Sequence, residues 1–136
     1  MDQLSASFYI ASTGMRAQGT RLRVISENVA NKDSTADTPG GDPYRRKMVT
    51  FKNVMDRELG VESVNVRKIR EDQSEFGLLF DPNHPAADEN GYVKRPNVNG
   101  LIEMMDMREA QRSYEANLNV IEISKAMLSR TVDILK

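Results

Sequence analysis

Two stretches of apolar residues spaced by alternating steps of three and four bracket this chain, and they constrain its fold more than any other feature. Near the N-terminus they fall at Leu4, Phe8, Ala11, Met15, Gln18, Leu22, Ile25 and Val29. Near the C-terminus they fall at Met104, Met107, Gln111, Tyr114, Leu118, Ile121, Lys125, Leu128, Val132 and Leu135. Residues three and four apart share one face of an α-helix, so each series predicts a helix with a seam of coiled-coil type. A second line, Ile10, Ala17 and Val24, runs along the N-terminal helix, and Val120, Ile123, Met127 and Ile134 widen the C-terminal face. One stripe suits one partner helix, whereas two suit a helix with several neighbours.

Gly and Pro are missing from Leu101 to Lys136, so nothing breaks the second helix, and Asn97 and Asn99 stand ahead of it as caps. At about 1.5 Å per residue the helices run roughly 40 Å and 50 Å. Gly14 and Gly19 lie inside the first. Each costs about 1 kcal/mol relative to Ala, which predicts close approach of a neighbouring backbone there. Gln18, Gln111 and Lys125 interrupt the seams, where polar residues can set register and partner number.

The middle is different in kind. Lys32 to Pro43, rich in Asp, Ser, Thr, Gly and Pro, reads as an irregular loop. Tyr44 to Phe51 reads as a strand, and Phe51 to Leu59 as a short amphipathic helix stopped by Gly60. Val64, Val66 and Ile69 mark a second strand, Phe76 to Phe80 a third element, and Asp81 to Asn99 a further loop. The expected fold class is therefore mainly α with a small β-containing middle, its long terminal helices packing as a coiled coil. Three segments are expected: 1–31 helix, 32–100 loop and small β middle, and 101–136 helix.

With 136 residues, 39% of them hydrophobic and no Trp, the chain has one modest core, part of whose burial neighbours would supply. A formal net charge of -1 argues against nucleic-acid binding. Arg45-Arg46-Lys47 reads as a solvated or partner-facing turn. Without cysteine there is no disulfide, zinc-thiolate or thiol chemistry. No apolar run approaches the roughly 18 residues that cross a bilayer, and Asp2 with Ser5 and Ser7 does not suit a cleaved signal, so any export would use a specialised, uncleaved route. The lone His84 lacks a second His or Cys and reads as a loop residue. Asp81, Asn83, Asp88 and Asn90 lack the spacing of a calcium loop. Glu71-Asp72 and Asp88-Glu89 read as solvated charge. No catalytic residue, metal or cofactor is expected, and a hydrolase built on His84 is the poorest rival. A soluble helical adaptor or secretion chaperone is the better one.

Several motifs, in order, resemble the bacterial flagellar rod and hook proteins. They begin with Ser12-Thr13-Gly14-Met15-Arg16-Ala17-Gln18, Arg21-Leu22 and Ile25-Ser26-Glu27-Asn28-Val29-Ala30-Asn31. Asp33-Ser34-Thr35, Pro39 through Lys47, and Asp88-Glu89-Asn90-Gly91-Tyr92-Val93 resemble the proximal-rod members in particular. Glu103-Met104-Met105-Asp106-Met107 and Arg112-Ser113-Tyr114-Glu115-Ala116-Asn117 complete the match. The Asn-Thr-Thr-Gly-Phe continuation common in the family is replaced here by Asp33-Ser34-Thr35, which points away from hook and distal-rod members. The resemblance implies a structural subunit exported through the flagellar type III apparatus, polymerising into a drive shaft that crosses the periplasm and carries motor torque to hook and filament. The partners it implies are FlgB, FlgF, FlgG, the FliE adaptor, the FlgJ rod cap and the flagellar export apparatus, with no nucleic acid and no membrane insertion.

Axial packing is expected from Leu4, Phe8, Met15, Leu22, Ile25 and Val29 at one end, and from Met107, Tyr114, Leu118, Ile121 and Leu128 at the other. Ala30, Asn31, Tyr44, Arg45 and Arg46 are the expected inter-subunit loop contacts.

Overall fold

The computed structural model describes residues 2–136. Helix α1 (Gln3–Ala30) and helix α2 (Gly100–Leu135) flank four strands: β1 (Lys47–Asp56), β2 (Val61–Glu71), β3 (Gly77–Phe80) and β4 (Tyr92–Arg95). The strands pair as two separate two-stranded sheets, β1 with β2 and β3 with β4. The chain divides into two compact units. The first comprises Met1–Leu22, Val49–Lys68 and Arg108–Lys136, and the second Arg23–Met48 and Ile69–Met107.

Local side chains set the helix ends. The Asp2 carboxylate accepts the Ser5 N–H at 2.6 Å, an N-cap, and the Ser5 hydrogen bonds hold it below the usual carboxylate range. Asn31 closes α1 by donating from Nδ2 to the Glu27 carbonyl at 2.8 Å. Of the two candidate caps for α2, Asn99 does the work: its Oδ1 accepts from the N–H groups of Leu101 (3.0 Å) and Ile102 (3.4 Å). Asn97 is engaged with Arg46 instead.

The middle departs from expectation in two places. Phe51–Leu59 is not a helix: β1 starts at Lys47 rather than Tyr44 and runs on to Asp56. Phe51, Val54 and Met55 satisfy a helical spacing, but the turn chemistry beyond them decides the outcome. Asp56 Oδ1 accepts from the N–H groups of Glu58 and Leu59, and Gly60 takes φ 68°, which reverses the chain into β2. The second departure is β4, which lies inside the stretch expected to be loop. Asp88 Oδ1 accepts from Asn90 N–H and Tyr92 N–H, both at 2.9 Å, and this turn delivers Tyr92 opposite Phe80. The two rings meet edge to face, their centroids 5.3 Å apart.

In the first unit α1 and α2 run antiparallel. Leu4 and Phe8 line a groove with Ser124, Lys125 and Leu128, while at the other end of this pairing Arg21 meets Glu109 at 3.6 Å. The buried strip consists largely of small residues: Ala11 and Ala17 on α1, with Ala110, Ile121 and Ser124 on α2. On α2 two positions of the expected seam are therefore displaced by one residue. Ala110 and Ser124 are buried, whereas Gln111 and Lys125 are exposed and interrupt nothing. Helices that approach closely select small side chains at the contact, and a search for large apolar residues passes over them. A β-carbon at Gly14 would lie 2.9 Å from Asn117 Nδ2, so the close neighbour is a side-chain amide rather than the expected backbone. At Gly19 the nearest atom, on the Tyr114 ring, would be 4.0 Å away, which leaves room.

Candidate functional site: a buried polar junction and the exposed helix faces

The second unit is organised around two polar side chains with almost no solvent access, Asn28 of α1 (1% exposed) and Glu103 of α2 (0%). Asn28 treats Lys47 as a strand partner would. Its Oδ1 accepts the Lys47 N–H at 3.0 Å and its Nδ2 donates to the Lys47 carbonyl at 2.8 Å. The same amide accepts the Tyr44 hydroxyl at 2.7 Å and donates to Glu103 Oε2 at 3.3 Å. One side chain thus ties the end of α1 to the start of β1 and to the first turns of α2.

Arg46 completes the junction. Its Nε donates to Glu103 Oε1, Nη1 reaches Asp72 Oδ2 at 3.3 Å, and Nη2 reaches Asp106 Oδ2 at 3.4 Å. Its backbone is held as well, N–H to Asn97 Oδ1 at 2.7 Å and carbonyl from Asp72 N–H at 2.7 Å. Arg45 donates to the Asp72 carbonyl at 2.8 Å and stacks over the Phe76 ring at 4.2 Å. The expectation of a solvated turn at Arg45–Lys47 gives way to this internal network. Asp72 is likewise part of the network, while Glu71 beside it is exposed. Among the described residues no buried side-chain nitrogen or oxygen lacks a hydrogen-bond partner.

Electrostatics follow from the same contacts. Burial opposes the charge of Arg46, but the hydrogen bond and attraction from Glu103, then those from Asp72, outweigh it and raise its pKa. Hydrogen bonds from Ser74, followed by Arg46, hold the Asp72 carboxyl below the usual range. Burial, reinforced by the negative charges of Glu27, Glu103 and Glu71, pushes the Tyr44 hydroxyl up. His84 acts locally too, accepting the Ala86 N–H on Nδ1 at 2.9 Å with Thr35 Oγ1 3.2 Å from Nε2.

Of the candidate packing residues on α1, Ile25 is buried, Leu4, Met15, Leu22 and Val29 are half-buried, and Phe8 is exposed. On α2, Ile121 is buried, Met107 and Tyr114 are half-buried, and Leu118 and Leu128 are exposed. Ala30 is exposed and Asn31 half-buried, while Tyr44, Arg45 and Arg46 make their contacts inside the second unit. Sequence reasoning missed Asn28, Asp72 and Glu103 as structural residues. The available signal was a carboxylate flanked on both sides by apolar pairs, Leu101-Ile102-Glu103-Met104-Met105. In the structure this segment is inside out, Glu103 facing inward and the four apolar residues between 49% and 71% exposed. The end of α2 is similarly bare, with Leu128, Val132, Ile134 and Leu135 between 48% and 82% exposed. Among the described residues no helix is long and apolar enough to cross a membrane.

Comparison with known proteins converges on one family. The family described as "Flagella basal body rod protein" matches residues 8–40, and "Flagellar basal body rod FlgEFG protein C-terminal" matches residues 89–134. The flagellar basal-body rod protein FlgC of Agrobacterium fabrum is 57% identical over 136 residues, covering 100% of this chain and 98% of the relative. FlgC of Borreliella burgdorferi is 41% identical, covering 98% of each, and that of Bacillus subtilis is 38% identical, covering 96% of this chain and 97% of the relative. The chain belongs to the flagellar basal-body rod protein family, in its FlgC branch, and is a structural subunit of that rod.

Proposed function

We propose that the chain assembles into the proximal rod by burying the exposed apolar faces of α1 and α2 against helices of neighbouring subunits. The exposure of α2 carries this reading. From Val120 onward every large apolar residue but the buried Ile121 faces solvent, which is unfavourable for a free subunit and is relieved only by a covering partner. Two grooves flank the paired helix ends in the first unit. One is lined by Leu4, Phe8, Lys125 and Leu128, the other by Val120, Ile123, Met127 and Thr131. Each suits the side-chain ridge of a further helix, which would complete coiled-coil-like contacts on both sides.

In this reading the seams formed by Phe8, Met15 and Leu22, and by Leu118 and Leu128, pack along the rod. Ala30, Asn31 and Arg45 interlock adjacent subunits, with Tyr44 and Arg46 bracing them from within. The assembled shaft crosses the periplasm and transmits torque. Its neighbours are FlgB, FlgF and FlgG, with FliE below and FlgJ capping growth, after delivery by the flagellar export apparatus. Val132→Asp tests the reading, because Val132 is 48% exposed and contributes little to the fold of the free chain. The purified variant should keep its helical circular dichroism while cells carrying it lack rods and do not swim. Normal swimming would refute the assembly role of this face.

A further inference from the structure

Asparagine precedes glycine at two places in the chain, Asn90-Gly91 and Asn99-Gly100. Such a pair can react with itself, because glycine has no β-carbon to shield its backbone nitrogen from the neighbouring carboxamide. The nitrogen loses its proton to solvent base and attacks Cγ of the asparagine. A C–N bond closes a five-membered succinimide, the Cγ–Nδ2 bond breaks, and the side-chain nitrogen leaves as ammonia with a proton from water. Water then opens the ring. Cleavage at Cγ leaves aspartate, whereas cleavage at the former backbone carbonyl leaves isoaspartate, whose main chain runs through the side-chain carbons. Water is the only co-reactant.

Both asparagines are exposed, but the structure treats them differently. Asn99 Oδ1 accepts from the N–H groups of Leu101 and Ile102, and its carbonyl accepts the Glu103 N–H at 3.0 Å. Its carboxamide is therefore held in the first turn of α2. The Asn90 carboxamide has no hydrogen-bond partner among the described residues. Of its reacting groups only the Gly91 N–H is engaged, to the Asp88 carbonyl at 3.0 Å. Glycine is required at this position: φ is 85°, and a β-carbon would lie 2.8 Å from the Phe80 ring and 3.2 Å from Pro82. The turn into β4 thus keeps the reactive neighbour beside Asn90.

We propose that Asn90 is a site of spontaneous deamidation and isomerisation, and that capping of α2 protects Asn99 from the same reaction. Either product sets a further negative charge beside Asp88 and Glu89. Isoaspartate also lengthens the backbone between Asp88 and Tyr92, which displaces Tyr92 from its place opposite Phe80.

The test is to incubate the purified full chain at mildly alkaline pH and map its peptides over time by mass spectrometry, separating aspartate from isoaspartate by retention. Asn90 should convert, and Asn99 at least about tenfold more slowly, because its capping bonds must break first. In denaturant the two rates should converge. Asn90→Ala, at an exposed and unpartnered side chain, should abolish the change at that position and leave Asn99 slow. Hydrogen exchange at Tyr92 should accelerate on ageing in the native chain but not in Asn90→Ala. Equal or faster conversion of Asn99 in the folded chain would overturn the proposal. So would an Asn90 that stays intact while the denatured chain converts. A difference between the sites that persists in denaturant would assign it to local sequence and overturn protection by the cap.

Discussion

In the first unit α1 and α2 meet through Ala11, Gly14 and Ala17 facing Ala110, Asn117 and Ser124; in the second the same helices meet through Asn28 and Glu103. The first contact depends on close approach and dispersion, which fall off smoothly as one helix slides along the other. The second depends on hydrogen bonds with narrow geometric tolerance. A strip of small residues fits several alignments nearly as well, whereas Asn28 can read the Lys47 backbone and Glu103 together in only one. The difference teaches a division of labour: small residues allow close approach in the first unit, and polar groups of narrow geometry set the alignment within the second.

The largest expected effect is on the polar side. Glu103→Ala strands Arg46 and the Asn28 amide in a buried setting, and breaking a buried pair costs about 3–5 kcal/mol. Hydrogen exchange should accelerate at Lys47 and across the first turns of α2, with a smaller change between Ala11 and Ala17. Uniform acceleration along both helices would erase the contrast between the units. On the small-residue side, Gly14→Val drives a branched side chain into Asn117 and should cost about 1–3 kcal/mol by chemical denaturation. Combining it with Asn117→Ala should recover part of that loss, and strict additivity would show that the two positions do not press on each other.

Tyr44→Phe probes the edge of the junction. It removes the hydrogen bond to Asn28 at a cost of about 1 kcal/mol. It also removes a pH dependence. The Tyr44 pKa is raised in the folded chain, so its stabilisation is fully present below the ordinary tyrosine value near 10 and is lost as pH rises through the higher folded value. Denaturation midpoints measured from pH 9 upward should fall more steeply for the native chain than for Tyr44→Phe. The smallest effect, and the only favourable one, is Gly19→Ala. Its β-carbon has room, so the variant should be more stable by up to about 1 kcal/mol, with a correspondingly higher melting temperature.

Much of this was legible in sequence, and the failures have definite causes. The helices declared themselves because three-four spacing without Gly or Pro admits few alternatives over such lengths. Which strip would be buried did not, because α2 is apolar over a wide arc and the contact was decided by Ala110 and Ser124, residues with little hydrophobic weight. The expected helix at Phe51–Leu59 failed because three apolar residues fit a strand and a helix alike, and the choice fell to Asp56 and Gly60 beyond them. Strand β4 was hidden by turn residues that form its entrance rather than replace it. Asn28 and Glu103 appeared in sequence only as letters of a family motif. Their burial depends on partners 75 residues apart in the chain, which no local pattern reports.

The junction has a consequence for how such chains can diverge. Arg46 contributes a planar fork that serves three carboxylates at once, and a lysine in its place offers a single point of charge. A lineage that loses the arginine must therefore replace Glu103 and rebuild the bonds around Asn28 within a few steps, or pass through a poorly folded intermediate. Substitutions at these three positions are expected to arrive as a set. Gly19, with open space around it, is free to drift alone.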